Sequence, residues 1–201
     1  KPIKNMAGDK HFAEIFFTDV QVPVENRLGA EGEGWKVTVS ALANERSSIG
    51  EVTQMFSKLD ELKDLVKSTR VQGKPAAEDP TVRRQLARFE TKIAAMKYNG
   101  LRYLTKQIKG EPLSSETSVN KLHRASLEIE MDDFAVSLSG EAGLQLKGGE
   151  NAVGGGSWSK SALSWPNVVI GGGTPNIQRN IIAERIPVSY THLTLPTTCT
   201  V

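Results

Sequence analysis

Residues 34–69 read GWKVTVSALANERSSIGEVTQMFSKLDELKDLVKST. From Ile49 the apolar residues fall at Val52, Met55, Leu59, Leu62 and Val66, in steps of three and four. That spacing keeps them on one face of a helix. Leu42 and Val39 continue the stripe upstream, so the pattern predicts one long helix beginning near Trp35. Gly32 and Gly34 break the chain before it, and Lys63 and Lys67 sit in its last turns, where cations suit the carbonyl end of the helix dipole. Inside the stripe stands Asn44-Glu45-Arg46, flanked by Ala41, Ala43, Ser47 and Ser48. Small neighbours leave room for a ligand beside the charged pair. By pattern alone, a solvated or ion-paired Glu-Arg accounts for it as well.

A second stretch, residues 171–185, reads GGGTPNIQRNIIAER. Thr174 suits an N-cap and Pro175 the first helical position. Ile177, Ile181 and Ile186 follow at helical spacing. Glycines before a helix start offer backbone N–H groups at the positive end of the dipole, which favours a phosphate or another anion. A plain loop-to-helix junction explains the same pattern.

Between these stretches the chain reads as helices and loops. RVQGKPAA, from Arg70 to Ala77, is a loop. Asp79-Pro80 caps a helix with the stripe Val82, Leu86, Phe89, Ile93, Met96, Leu101, Leu104 and Ile108, closed by Gly110 and Pro112. A third helix begins near Ser115 or Thr117, carries Leu127, Met131, Phe134 and Leu138, and closes at Gly140. Its acids Glu128, Glu130, Asp132 and Asp133 are expected on a solvated face rather than on a metal. The run LKGGENAVGGGS, ending at Ser157, reads as a mobile loop. Trp158 and Trp165 are expected to cover a bundle end before the final helix. The fold class expected is mainly α, an up-down four-helix bundle preceded by a few β-strands. Residues 1–30 read as β, with Val20, Val22 and Val24 alternating like an edge strand and Pro23 stopping the run. Two strands make no stable sheet alone, so this segment needs a partner.

The composition narrows the function classes. In 201 residues there are 25 Lys and Arg against 23 Asp and Glu, a net charge of +2, with the bases dispersed; nothing points to nucleic acid. The single Cys199 makes no internal disulfide. His11, His123 and His192 lack ligand spacing, so no metal is expected. No apolar run approaches membrane-spanning length and no signal peptide is seen. Lys1 opens mid-pattern, so an upstream segment is expected.

Three blocks, HFAEIFFTDVQVPVENRLGAEGEGWKV (11–37), LANERSSIG (42–50) and IGGGTPNIQRNIIAER (170–185), resemble the C-terminal portion of the acyl-CoA dehydrogenase family. The resemblance runs from about Lys1 to Ile186. It implies that residues 1–30 are the end of a middle β-domain and 31–186 a C-terminal helical bundle. Residues 187–201, PVSYTHLTLPTTCTV, depart from it and are expected to be non-native. The activity implied is FAD-dependent α,β-dehydrogenation of an acyl-CoA thioester. A carboxylate removes the α proton while the β hydride passes to flavin N5. Many members carry this carboxylate just before the Gly-Thr of the last motif, where this chain has Gly172. Others carry it in the first bundle helix immediately before an Arg, which here is Glu45 followed by Arg46. The resemblance therefore makes Glu45 the catalytic base and Arg46 a substrate-binding or Glu45-orienting residue. It places Thr174 and Asn176 against the flavin nucleotide. Gly140 and Gly143, in LSGEAG, would approach the adenosine half of FAD from a neighbouring subunit. Arg70 lies one position away from a family arginine and its cofactor role is in doubt. An electron-transferring flavoprotein is the implied electron acceptor, a homodimer or homotetramer the implied assembly, and the bacterial cytoplasm, or the mitochondrial matrix of a eukaryote, the implied location. An acyl-CoA oxidase, with oxygen as acceptor, and a helical assembly module without chemistry remain open alternatives. With most of the β-domain absent, the 201-residue chain alone is expected to bind FAD poorly and to be inactive.

Overall fold

The computed structural model describes residues 1–45, 50–111 and 117–185, apart from the side chains of residues 42–45, 50–51, 165–166 and 185. The described residues of the predicted rod are helical, as α1 (Gly34–Glu45) and α2 (Gly50–Ser68), on either side of residues 46–49. Arg46 and Ile49 lie outside the described residues. The expected stripe of α2 is buried through Val52, Met55, Leu59, Leu62 and Val66, joined by Leu65. The upstream continuation is not: Trp35 is 79% and Val39 39% exposed.

Arg70 to Ala77 is more ordered than a loop. Strands β1 (Pro2–Ile3) and β2 (Phe12–Ala13) pair near the start of the chain, and β3 (Arg70–Val71) pairs with β4 (Lys74–Pro75) here. Gln72 and Gly73 turn the second hairpin with φ of 49° and 79°, both positive as a two-residue hairpin turn demands. Arg70 Nε donates to Gly73 O across it, so this side chain serves the hairpin. Ala76 then packs with Val66 and Val82 in a small satellite core.

Helix α3 (Pro80–Ile108) starts as expected, with Asp79 Oδ1 accepting from the amides of Thr81 and Val82. Its stripe is right as far as Met96 and then slips. Leu101, Leu104 and Ile108 are 43%, 38% and 77% exposed. Gly100 and Tyr103 are buried instead, because they continue the three-and-four spacing from Ile93 and Met96.

Helix α4 (Thr117–Ser139) ends before Gly140, whose φ is 58°. The glycine-rich segment after it is not a loose loop. It holds two short 3-10 turns, Gly140–Leu144 and Val153–Gly156. A Cβ on Gly156 would lie 2.5 Å from Lys147 N, so the two halves of the segment press backbone against backbone. Ser159 Oγ donates to Gly143 O and Gln145 O and ties the segment to helix α5 (Ser157–Ile170).

That helix has no counterpart in the sequence analysis, and Pro166 lies inside it. Its Trp158 belongs to the core, 6% exposed, rather than to a bundle end; the Trp165 side chain lies outside the described residues. Helix α6 (Pro175–Arg185) packs on α4.

The architecture is mainly α: α2, α3, α4 and α5 run up and down as a four-helix bundle. Cross-helix pairs fix the directions: Lys63–Glu90 and Lys92–Glu130 low in the bundle, Asn99–Asn120 and Lys121–Val168 near the other end. The core joins Met55, Leu59 and Leu62 of α2, Phe89, Ile93 and Met96 of α3, Leu127, Met131 and Ala135 of α4, and Trp158. Phe89 and Phe134 meet edge to face with centroids 5.7 Å apart.

The N-terminal segment is less β-like than its alternation suggests. Residues 14–23 form no strand, and Val24–Asn26 is a 3-10 turn. Alternation without a neighbouring strand leaves backbone groups unpaired, and Ile15, Phe16, Phe17, Val20 and Val22 are all exposed. Lys160 on α5 ties this segment down by donating to Asp9 Oδ1 at 2.9 Å. That hydrogen bond, first among the causes, holds the Asp9 carboxyl below its ordinary 3.8. A lowered carboxyl pKa stabilises the tether above the ordinary value and loses it as pH falls through the folded one. An NMR titration is expected to find the Asp9 midpoint below 3.8, and Lys160→Ala to bring it back; an Asp9 midpoint indifferent to Lys160 removes the tether.

Among the described residues no helix is long and apolar enough to cross a membrane, and no cluster of three metal-ligating side chains occurs.

Candidate functional site

The GGGT stretch forms a tight turn between α5 and α6. Gly171 N donates to Asn167 O at 2.8 Å, closing α5. Gly172 and Gly173 then take φ of 67° and 96°, a backbone that side-chain-bearing residues rarely adopt. Thr174 caps α6 as expected. Its carbonyl accepts from Gln178 N at 2.9 Å, and its hydroxyl lies 3.4 Å from Ile177 N. Ile177 is 49% exposed, so it is not an anchor of α6; the buried residue of this turn is Gln178, 1% exposed. Gln178 Nε2 donates to Gly172 O at 2.8 Å and to Gly173 O at 3.2 Å. From below, Lys121 Nζ donates to Val168 O at 2.6 Å, and its Cε would lie 3.5 Å from a Cβ on Gly172.

The topology sets this turn at the same end of the bundle as the start of α2. The first turns of α2 line a cavity of about 230 Å³ with Lys97 and Leu101 of α3. Asn120 of α4 donates to Met96 O of the same α3 stretch, and the next residue, Lys121, reaches the end of α5. Glu45 precedes Gly50, the first residue of α2, by five positions in the chain. The Glu45 side chain and all of Arg46 lie outside the described residues.

Gly140 and Gly143 are elsewhere. They follow the C-terminus of α4, whereas Lys121 marks the turn's end of the same helix. At 1.5 Å per residue the separation is roughly 30 Å. Gly140 has nothing within 4 Å of a would-be Cβ. Gly143 is buried, and a Cβ there would lie 2.5 Å from Val136 O, so packing alone demands glycine. Within one chain these two glycines do not join Thr174 and Asn176. Asn176 is exposed beside the turn and accepts from Arg179 at 3.0 Å.

Of the acids of α4, Asp133 is exposed as expected, whereas Glu128, Glu130 and Asp132 are paired within the bundle. Asp132 is fully buried, with Oδ1 2.8 Å from Lys58 Nζ and Oδ2 accepting from Ser161 Oγ at 2.7 Å. Lys58 also lies 3.5 Å from Glu128, which Arg124 pairs at 2.8 Å. Lys92 holds Glu130 at 2.6 Å. The Lys58 ammonium stands 5.9 Å from the centre of the Trp158 ring. This network sits roughly 15 Å along α4 from the glycine turn, in the waist of the bundle. It is a structural device rather than part of the candidate site.

Residues 32–186 match the family model described as acyl-CoA dehydrogenase, C-terminal domain. The chain belongs to the acyl-CoA dehydrogenase family. It is 32% identical over 188 residues to acyl-CoA dehydrogenase IpdE1 of Mycolicibacterium smegmatis, covering 92% of this chain and 44% of that protein. Among solved structures it superposes on an acyl-CoA dehydrogenase from Geobacillus kaustophilus with a TM-score of 0.70 at 27% identity, over 84% of this chain and 43% of the other. It shares the fold of the ChsE4-ChsE5 complex from Mycobacterium tuberculosis, TM-score 0.76 at 24% identity, over 94% of this chain and 50% of that one. The chain thus spans about half the length of the relatives it matches. At the glycine turn Gly172 carries no side chain, and its positive φ disfavours any replacement that would add one.

Proposed function

We propose that the full-length protein is an FAD-dependent acyl-CoA dehydrogenase whose catalytic base is Glu45. The observation that supports this most is a glycine turn without a side chain at Gly172, set at the bundle end where α2 begins, five residues after Glu45 in the chain. The residues present fit one edge of a dinucleotide. Gly172 and Gly173 keep the approach to the backbone free of side chains, and α6 begins there with Thr174 as cap and Asn176 exposed. Thr174 and Asn176 would hold the nucleotide from this side. Bound FAD would supply the acceptor for the β hydride.

Glu45 takes the α proton, Arg46 orients the thioester or the carboxylate, and the bond between the α and β carbons becomes double. A base partly withdrawn from water is stronger, because desolvation disfavours its charged form. Gly140 and Gly143 would act toward the adenosine half bound to a neighbouring copy, which their distance from Thr174 within one chain accommodates. A homo-oligomer follows from that arrangement. An electron-transferring flavoprotein would reoxidise the enzyme in the bacterial cytoplasm.

Residues 1–201 alone are expected to bind FAD weakly and to lack turnover, since they span under half of IpdE1. The full-length protein is expected to show flavin absorbance after reconstitution and to reduce electron-transferring flavoprotein with an acyl-CoA. Full-length protein that binds no FAD sinks the proposal. Oxygen consumption in place of flavoprotein reduction would make it an oxidase.

A further inference from the structure

Gln178 was invisible to apolar periodicity, yet it is among the largest fully buried side chains of the protein. Its amide nitrogen faces two carbonyl oxygens, those of Gly172 and Gly173, at 2.8 and 3.2 Å. Only the donor end of the amide can occupy that place, since the oxygen end would confront both carbonyls. The space it fills exists because Gly173 is glycine: a Cβ there would lie 2.6 Å from Gln178 Nε2. Its Oε1 finds no hydrogen-bond partner among the described residues, an unfavourable burial accepted where the other end of the amide is needed. Glycines at positive φ are conformationally loose by themselves, so a turn made of them needs an external clamp to keep one shape.

We propose that Gln178 is a positioning residue: its amide draws both glycine carbonyls inward and thereby fixes the turn that presents Thr174 and Asn176 to the nucleotide. This rests on the reading that the turn meets FAD, and deepens it. Lys121 completes the clamp by holding Val168 O at the end of α5. No contact between Gln178 and a ligand is implied.

The test compares full-length wild type with Gln178→Met, which keeps the length and removes the donors. Three quantities are read: FAD dissociation constant, melting temperature of the apoprotein, and hydrogen exchange of the peptide spanning residues 171–178. The expected result is FAD binding weaker by about ten- to a hundredfold, the loss that follows from removing two buried hydrogen bonds. Amide exchange in that peptide rises, while exchange in α2 and α3 does not. Should Gln178→Met fail to fold, Gln178→Leu, uncharged and likewise without the NH2 donors, takes its place. FAD affinity within twofold of wild type overturns the proposal. So does a loss of affinity matched by faster exchange throughout the bundle, because a general weakening would explain it. Wild type that binds no FAD overturns this proposal together with the functional reading; wild type that binds beside a variant that binds equally overturns this one alone.

Discussion

Glu45→Gln in the full-length protein lowers kcat with acyl-CoA by about a thousandfold, in the range found for loss of a general base. Gln matches Glu in shape, so KM and flavin content are expected to change little, and the loss falls on the chemical step. Gly172 has no side chain to take over the proton, and its φ of 67° disfavours acquiring one. Stopped-flow reduction of the flavin isolates the step from reoxidation. Turnover that survives the substitution moves the base away from α1, whatever else the family shares. The helical assembly reading then gains ground, because the bundle would remain with no chemistry of its own.

Asp132→Ala destabilises the bundle by about 1.5–3 kcal/mol, the cost of removing charge-assisted hydrogen bonds from a buried site. The carboxylate is fully buried, paired with Lys58 and bonded by Ser161, so its removal takes from Lys58 its nearest partner and leaves it Glu128 at 3.5 Å. Lys58→Met combined with Asp132→Leu is expected to lose far less than either single change, since two apolar side chains of similar volume need no counter-charge. Urea unfolding of the three variants measures it. A single substitution that costs under about 1 kcal/mol shows that water, not Asp132, solvates Lys58.

Much of the fold was legible because helical packing writes itself into residue spacing. The stripes of α2 and of α3 up to Met96 are buried where periodicity places them, and Asp79 caps α3 as its position before Pro80 implies. The errors have particular causes. Leu101, Leu104 and Ile108 are apolar but lie off the stripe that Gly100 and Tyr103 continue, so hydrophobicity misled where geometry would not have. Helix α5 was not read from the sequence; it carries Pro166 in its interior, and tertiary contacts to α4 hold a helix that propensity disfavours. Glu128 and Asp132 carried a readable signal, an i, i+4 pair flanked by Ala125 and Ala135. Charge was weighed above that spacing. At the candidate site, Thr174 as cap of α6 was legible from residue type, whereas Gln178 was not, since nothing local says that a glutamine in a polar stretch turns inward.

The amino-acid sequence alone determined the stripes of α2 and of α3 up to Met96, the caps Asp79 and Thr174, the glycine turn and the absence of a carboxylate at Gly172, because each depends on neighbours within a few residues. Only the tertiary structure decided which ends meet. It brought the start of α2 and the start of α6 to one end of the bundle and left Gly140 and Gly143 at the other. It drew Asp132 to Lys58 and Gln178 to two glycine carbonyls. Those outcomes depend on antiparallel packing between helices far apart in the chain, and burial makes a polar side chain seek whatever partner that packing supplies.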